Sequence, residues 1–236
     1  MSGTHALAGA RLATWLRAGA GSRVQDAGAR PKEPLILYEF EACPFCRRVR
    51  EALTRLDLEV LIRPCPKGGR RYRGEVEALG GKQQFPFLVD PNRGVQMYES
   101  GEIVRHLHRE YGCSAPPASG RAGPIATALL VASGLGRGAA GSRARASRGA
   151  SMPLVLYGFE AQPESRLVRE VLCELELAYT MRPGAPGCAR RAGAAADLGV
   201  DPLPHLVDPN SGTEHSGWQS IVRHLEETYA LAAKPG

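Results

Sequence analysis

Nowhere does the sequence hold the ~20 consecutive apolar residues that a helix needs to cross a bilayer. Its longest apolar run, IATALLVASGLG at 125–136, falls short, so no membrane span is expected. Acidic residues are missing from the first 25 positions, where Arg11, Arg17 and Arg23 stand among Ala and Gly, a composition that reads as an organelle transit peptide. The six cysteines, Cys43, Cys46, Cys65, Cys113, Cys173 and Cys188, do not recur at matched spacing. A secreted disulfide framework is therefore a poor fit, and a reducing compartment suits the chain better. A lone Cys-x-x-Cys supplies only two of the four ligands zinc usually takes, and no metal site is assigned. The net charge of +6 comes partly from Arg137, Arg143, Arg145 and Arg148 in a Gly/Ala/Ser-rich stretch, which reads as solvated linker. No aromatic-studded basic face accompanies it, and nucleic-acid binding is not expected.

What the sequence does contain is a repeat. EACPFCRRVREAL at 41–53 returns as EAQPESRLVREVL at 160–172, with Gln162 and Ser165 where Cys43 and Cys46 stood. LILYEFE at 35–41 is answered by LVLYGFE at 154–160, PFLVDPN at 86–92 by PHLVDPN at 204–210, and IVRHL at 103–107 by IVRHL at 221–225. In 236 residues this decides for two small domains over one large one. Each copy opens with a β-rich run, switches to a helical period through Val49, Leu53 and Leu56 in the first, and returns to strand at LEVLIRPC, 58–65. A proline-containing strand at 84–94 and a helix with Ile103, Leu107 and Tyr111 on one face complete the unit. The order is βαβ, an intervening loop or helix, then ββα.

The expected boundaries are an extension at 1–33, a first domain at 34–112, a linker with a helix at 113–151 and a second domain at 152–232. AGSR at 20–23 recurs at 140–143, so the extension has two readings, a transit peptide or a lead-in helix belonging to the repeat. Pro86 and Pro204 also have two, an edge-strand proline or a cis-proline loop beside the helix-opening cysteines.

The chemistry centres on Cys43 and Cys46. A thiol attacks as thiolate, and at a helix mouth the free N–H groups and macrodipole, with Arg47 and Arg48 one turn on, favour that charge. Cys46 lies one turn further in, placed to close a disulfide and release a mixed-disulfide partner. Glu99 and Ser100 open the last helix of the copy. Ser100 is explained by capping alone, and the pair together suits a ligand carrying an ammonium beside a carboxylate. Cys65 reads as a loop cysteine, Cys173 as helix core, and His106 and His224, at one repeat position, as structural.

CPFC opening a helix after a strand, FPFLVD and YES together resemble the glutathione S-transferase N-terminal domain in its glutaredoxin-like form. With EFEACPFCRRVREAL, RPCPKGG, GGKQQFPFLVDPN and MYESGEIV in order, the chain is similar to a plant and algal family with two such domains, generally plastid-directed. The resemblance implies an α/β fold of two tandem thioredoxin-fold domains, each a four-stranded mixed sheet flanked by helices. It implies glutathione as substrate or ligand, with Cys43 as nucleophile, Cys46 as resolving thiol and Pro44 between them. Phe85 and Pro86 would bind the cysteinyl part of glutathione, and Glu99 and Ser100 its γ-glutamyl end. Protein disulfides or glutathionylated proteins would be the substrates and the chloroplast the location. The second copy, with Gln162, Ser165, Leu203, Gly217 and Trp218 at these places, lacks most of the site. Where transferases carry an all-helical domain, this chain has a linker and a second copy. Three functions follow: a thiol–disulfide oxidoreductase; a non-catalytic module binding glutathione, an iron–sulfur cluster or a protein; and a transferase or an isomerase of the prostaglandin E synthase type 2 kind.

Overall fold

The computed structural model describes residues 3–15, 19–114, 128, 140–188 and 203–232. A first helix, α1 (Gly3–Trp15), precedes the first repeat, β1 (Leu35–Glu39), α2 (Pro44–Arg55), β2 (Val60–Pro64), α3 (Arg73–Gly80), β3 (Phe87–Asp90), β4 (Val95–Met97) and α4 (Ser100–Tyr111). The second repeat follows the same plan with β5 (Leu154–Gly158), α5 (Pro163–Glu174), β6 (Tyr179–Pro183), β7 (His205–Asp208), β8 (Thr213–Ser216) and α6 (Trp218–Tyr229). The helix expected at 125–136 lies outside the described residues.

Local sequence accounts for these elements. Pro44 and Pro163 stand at the first helical position, where a missing N–H costs nothing and a fixed φ suits the helix. Val49, Leu53 and Leu56 are buried. Asp57 and Glu176 take φ of 55° and 50° just past the ends of α2 and α5, a left-handed stop that lets the Leu58 and Leu177 N–H groups return to Leu53 and Leu172.

The sheet corrects the expectation of two separate four-stranded sheets. Its order is β4-β3-β1-β2-β6-β5-β7-β8, a single eight-stranded sheet. Within each repeat the first two strands run parallel and the others antiparallel. The halves join where β2 pairs with β6 antiparallel, Leu61 opposite Thr180. Each of these strands would otherwise be an edge with unpaired N–H and C=O groups. Pairing them removes both edges, and the main hydrophobic cluster runs through the seam from Leu35 and Leu107 to Leu156 and Leu225.

Two further features tie the halves together. The two AGSR segments cross over: Ala161 donates to the Gly21 carbonyl and Ala42 to that of Gly141, while Val24 donates to Pro186 and Ala144 to Lys67. Helix α1 likewise packs on α5 of the opposite repeat.

The second feature is a buried ion cluster related by the repeat. Arg50 Nε meets Glu160 Oε2 at 2.8 Å, and Arg169 Nε meets Glu41 Oε2 at 3.1 Å. Arg47 pairs with Glu160 and Glu51, Arg166 with Glu41 and Glu170. All eight side chains are buried. This is the reciprocal contact pattern of a two-fold dimer interface, built here within one chain.

Candidate thiol site

Cys43 is the N-cap of α2, in extended conformation, and its Sγ accepts the Cys46 N–H at 3.3 Å. Cys43 shows 4% of its surface and Cys46 none, so both are buried and the first is the less enclosed. The hydrogen bond from the Cys46 thiol, followed by those from the Cys46 and Phe45 N–H groups, holds the Cys43 thiol below its usual range against burial. Burial, with that same hydrogen bond and the charges of Cys43 and Glu39, holds Cys46 well above it. Both thiols are free.

Arg47 is engaged across the seam. It is buried and turned to Glu51 and Glu160, because the second repeat places a carboxylate there. Arg48 is half-buried. Thiolate stabilisation at Cys43 thus rests on hydrogen bonds within the motif.

The Phe85–Pro86 and Leu203–Pro204 peptide bonds are cis, and both prolines stand just before a strand, at β3 and β7, rather than inside an edge strand. The Phe85 ring meets Phe40 edge-on, centroids 6.3 Å apart, and lies 4.8 Å beneath the Arg73 guanidinium.

Glu99, not Ser100, is the N-cap of α4, and it makes no side-chain cap. Its side chain accepts from Gln84 Nε2 at 2.6 Å, and Ser100 is buried in the first turn. Glu99 has φ 65° and ψ 106°, a backbone state that costs a side-chain-bearing residue ~1–3 kcal/mol. The second repeat has Gly217 there with φ 79°, free of that cost.

In the second repeat the corresponding space is closed from within. Gln162 Nε2 donates to the Leu203 carbonyl at 2.8 Å, and the Ser165 hydroxyl donates to Gln162 Oε1.

Other singled-out residues fall elsewhere. Cys65 is buried among Tyr38, Val76 and Phe87, its thiol pushed up by burial. Cys173 accepts from the Glu41 N–H and donates to the Gly141 carbonyl at the seam. His106 and His224 bond Asp90 and Asp208 at 2.8 Å. A cavity of about 20 Å³ lies on the seam among Arg50, Thr54, Glu160 and Arg169, room for one water and too small for a ligand. Among the described residues no group of three or more His, Cys, Asp or Glu is arranged to hold a metal ion, and no helix is long and apolar enough to cross a membrane.

An asymmetric thiol pair at a helix mouth and a cis-proline opening β3, on a βαβαββα unit, are the features of a thioredoxin-like domain. The family model for the glutathione S-transferase N-terminal domain matches residues 37–117 and 156–233, and the chain belongs to that family, represented twice. No individual curated protein and no solved structure matches the chain.

Proposed function

We propose that the protein is a glutathione-linked thiol–disulfide oxidoreductase with Cys43 as nucleophile and Cys46 as resolving thiol. The observation that carries this reading is the split between the two thiols, one at the helix mouth and held toward thiolate, the other fully enclosed and held protonated. Such a pair attacks with the first sulfur and keeps the second in reserve until a mixed disulfide forms. Family membership is consistent with glutathione as the thiol partner. The Glu99 backbone and the buried Ser100 support its γ-glutamyl end binding at the start of α4, with its cysteinyl part against Phe85 and Pro86. Pro44 starts the helix that presents Cys43.

The second repeat, without the two active-site thiols and with Gln162 across its own proline loop, serves in this reading to complete the sheet and the ion cluster. Residues 19–33 belong to the working protein as a strap between repeats, and the chain is one of the tandem plant and algal proteins acting in plastids on glutathionylated or disulfide-bonded proteins. The test is turnover of a small glutathione mixed disulfide by the full chain. Activity abolished in Cys43→Ser is the expected result; a wild-type chain without turnover contradicts the proposal.

A further inference from the structure

The two AGSR loops, at 20–23 and 140–143, are built alike and differ in what they hold. Gly21 and Gly141 take φ of 74° and 71°, the left-handed state that glycine adopts freely. A Cβ on Gly21 would stand 3.0 Å from the Glu160 Cβ, and one on Gly141 would stand 2.8 Å from the Cβ of its counterpart Glu41. The Gln25 N–H donates to the Arg55 carbonyl, and the Arg145 N–H to that of Glu174. Arg55 and Glu174 are the last residues of α2 and α5. The loops thus share one frame, while the carboxylate beside the second is a guanidinium beside the first.

In the second loop the anion belongs to the chain. Glu174 Oε1 accepts the Gly141 N–H at 2.8 Å, and its Oε2 meets Arg145 Nε at 2.9 Å. Glu174 stands at the C-terminal end of α5, where the helix dipole disfavours a negative charge, so the loop supplies the stronger attraction. In the first loop Gln25 replaces Arg145, and no carboxylate fills the place. Among the described residues no acceptor stands on the Gly21 N–H, and neither Arg23 nor Arg55 is paired with an acidic side chain. Gly21, Arg23, Gln25 and Arg55 instead line an open cavity of about 310 Å³. The nearby acidic groups are committed elsewhere: Asp26 to His108 Nδ1 and the Ser114 N–H, both at 2.9 Å, and Glu51 and Glu160 to Arg47 and Arg50 in the seam.

We propose that this cavity binds the phosphate group of a small soluble molecule, which takes in the first loop the place that the Glu174 carboxylate takes in the second. The donors suit a phosphate: a glycine N–H in a left-handed turn, two guanidinium groups and a carboxamide. A phosphate monoester dianion matches the charges of Arg23 and Arg55, where a single carboxylate leaves one unmatched. The cavity also leaves room beside the phosphate for a small organic group. The site is independent of the thiol chemistry, because Cys43 caps the start of α2 and Arg55 ends it, roughly 18 Å away at 1.5 Å per residue.

The test is a titration of the full chain, its amides observed by NMR, with inorganic phosphate and with glycerol 3-phosphate at constant ionic strength. The expected result is a saturable displacement of the Gly21 signal by both probes, with Gly141 unmoved because Glu174 already holds its N–H. Arg55→Glu, which gives the first loop the residue of the second, is expected to weaken binding by roughly tenfold or more, the scale of a hydrogen bond to a charged group. Arg23→Gln is expected to weaken it likewise and serves if the first variant fails to fold. Cys43→Ser is expected to bind as the wild type does. Sodium chloride moving Gly21 as phosphate does would reduce the effect to charge screening and overturn the proposal. So would wild-type affinity in the folded arginine variants, or a chain that responds to vesicles of phosphatidic acid but to neither soluble probe.

Discussion

Two glutamates carry costs that the fold alone does not require. Glu99 sits at φ 65° where the sister repeat has glycine. Relief of strain is worth ~1–3 kcal/mol and glycine entropy takes back ~0.5–1, so Glu99→Gly is expected to stabilise the chain by about 1 kcal/mol in urea unfolding while weakening glutathione binding. A variant both less stable and as tight a binder contradicts that account. Glu39, with a folded value near 7 against 4.5, binds its proton more tightly folded than unfolded. Its sign is therefore negative with rising pH: the penalty is absent below about pH 4.5 and grows until pH passes 7. Between pH 5 and 8 it removes about 2 kcal/mol of stability, a loss that Glu39→Gln should abolish when urea midpoints are compared at the two pH values. Glu160 does not enter this window, because Arg169, Arg50 and Arg47 overcome the effect of its burial and bring it down to about 2. Cys43 and Cys46 were legible in the sequence because helix-mouth chemistry is local. The environment of Glu39 was not, since its negative neighbour Glu160 is distant in sequence, and Arg47 was misread because Glu160 also holds it.

At the level of elements, most of the fold could be read from periodicity and turn residues, and the repeat supplied a second reading of each strand and helix. The linked ends of β3 and α4 show why the shared histidines are structural. His106 and Tyr111 both bond Asp90 Oδ2, at 2.8 and 2.7 Å, and His224 and Tyr229 repeat the pattern on Asp208. These bonds outweigh burial and hold both aspartates below the usual carboxylate range. Asp90→Asn and Asp208→Asn each weaken two bonds to a charged acceptor, and each is expected to cost about 2 kcal/mol by chemical denaturation. Thiol reactivity should be unchanged in both; a selective loss of reactivity in Asp90→Asn would give His106 a part in the chemistry. The crossing straps and α1 on α5 were beyond sequence reading, because the repeated AGSR says that a segment recurs, not which repeat it touches.

For the whole molecule, the second repeat is explained by what it gives the first. It closes the β2 edge, supplies Glu160 to Arg47 and Arg50, and receives Glu41 on Arg169. Gln162 and Ser165 in place of the active-site thiols leave every one of those contacts in place, so selection can retain its shape without that chemistry. The sequence pointed to two domains because repeat and domain usually coincide; here an unpaired strand in each repeat finds its partner in the other, and one sheet results. The measurement that bears most directly on this account is intact mass after equilibration in a graded glutathione redox buffer, for wild type, Cys43→Ser and Cys46→Ser. The account predicts a loss of about two daltons in wild type, from the two hydrogens released by one disulfide, one glutathione adduct on Cys43 in Cys46→Ser, and no adduct at position 46 in Cys43→Ser. Neither disulfide nor adduct under oxidising conditions would contradict it.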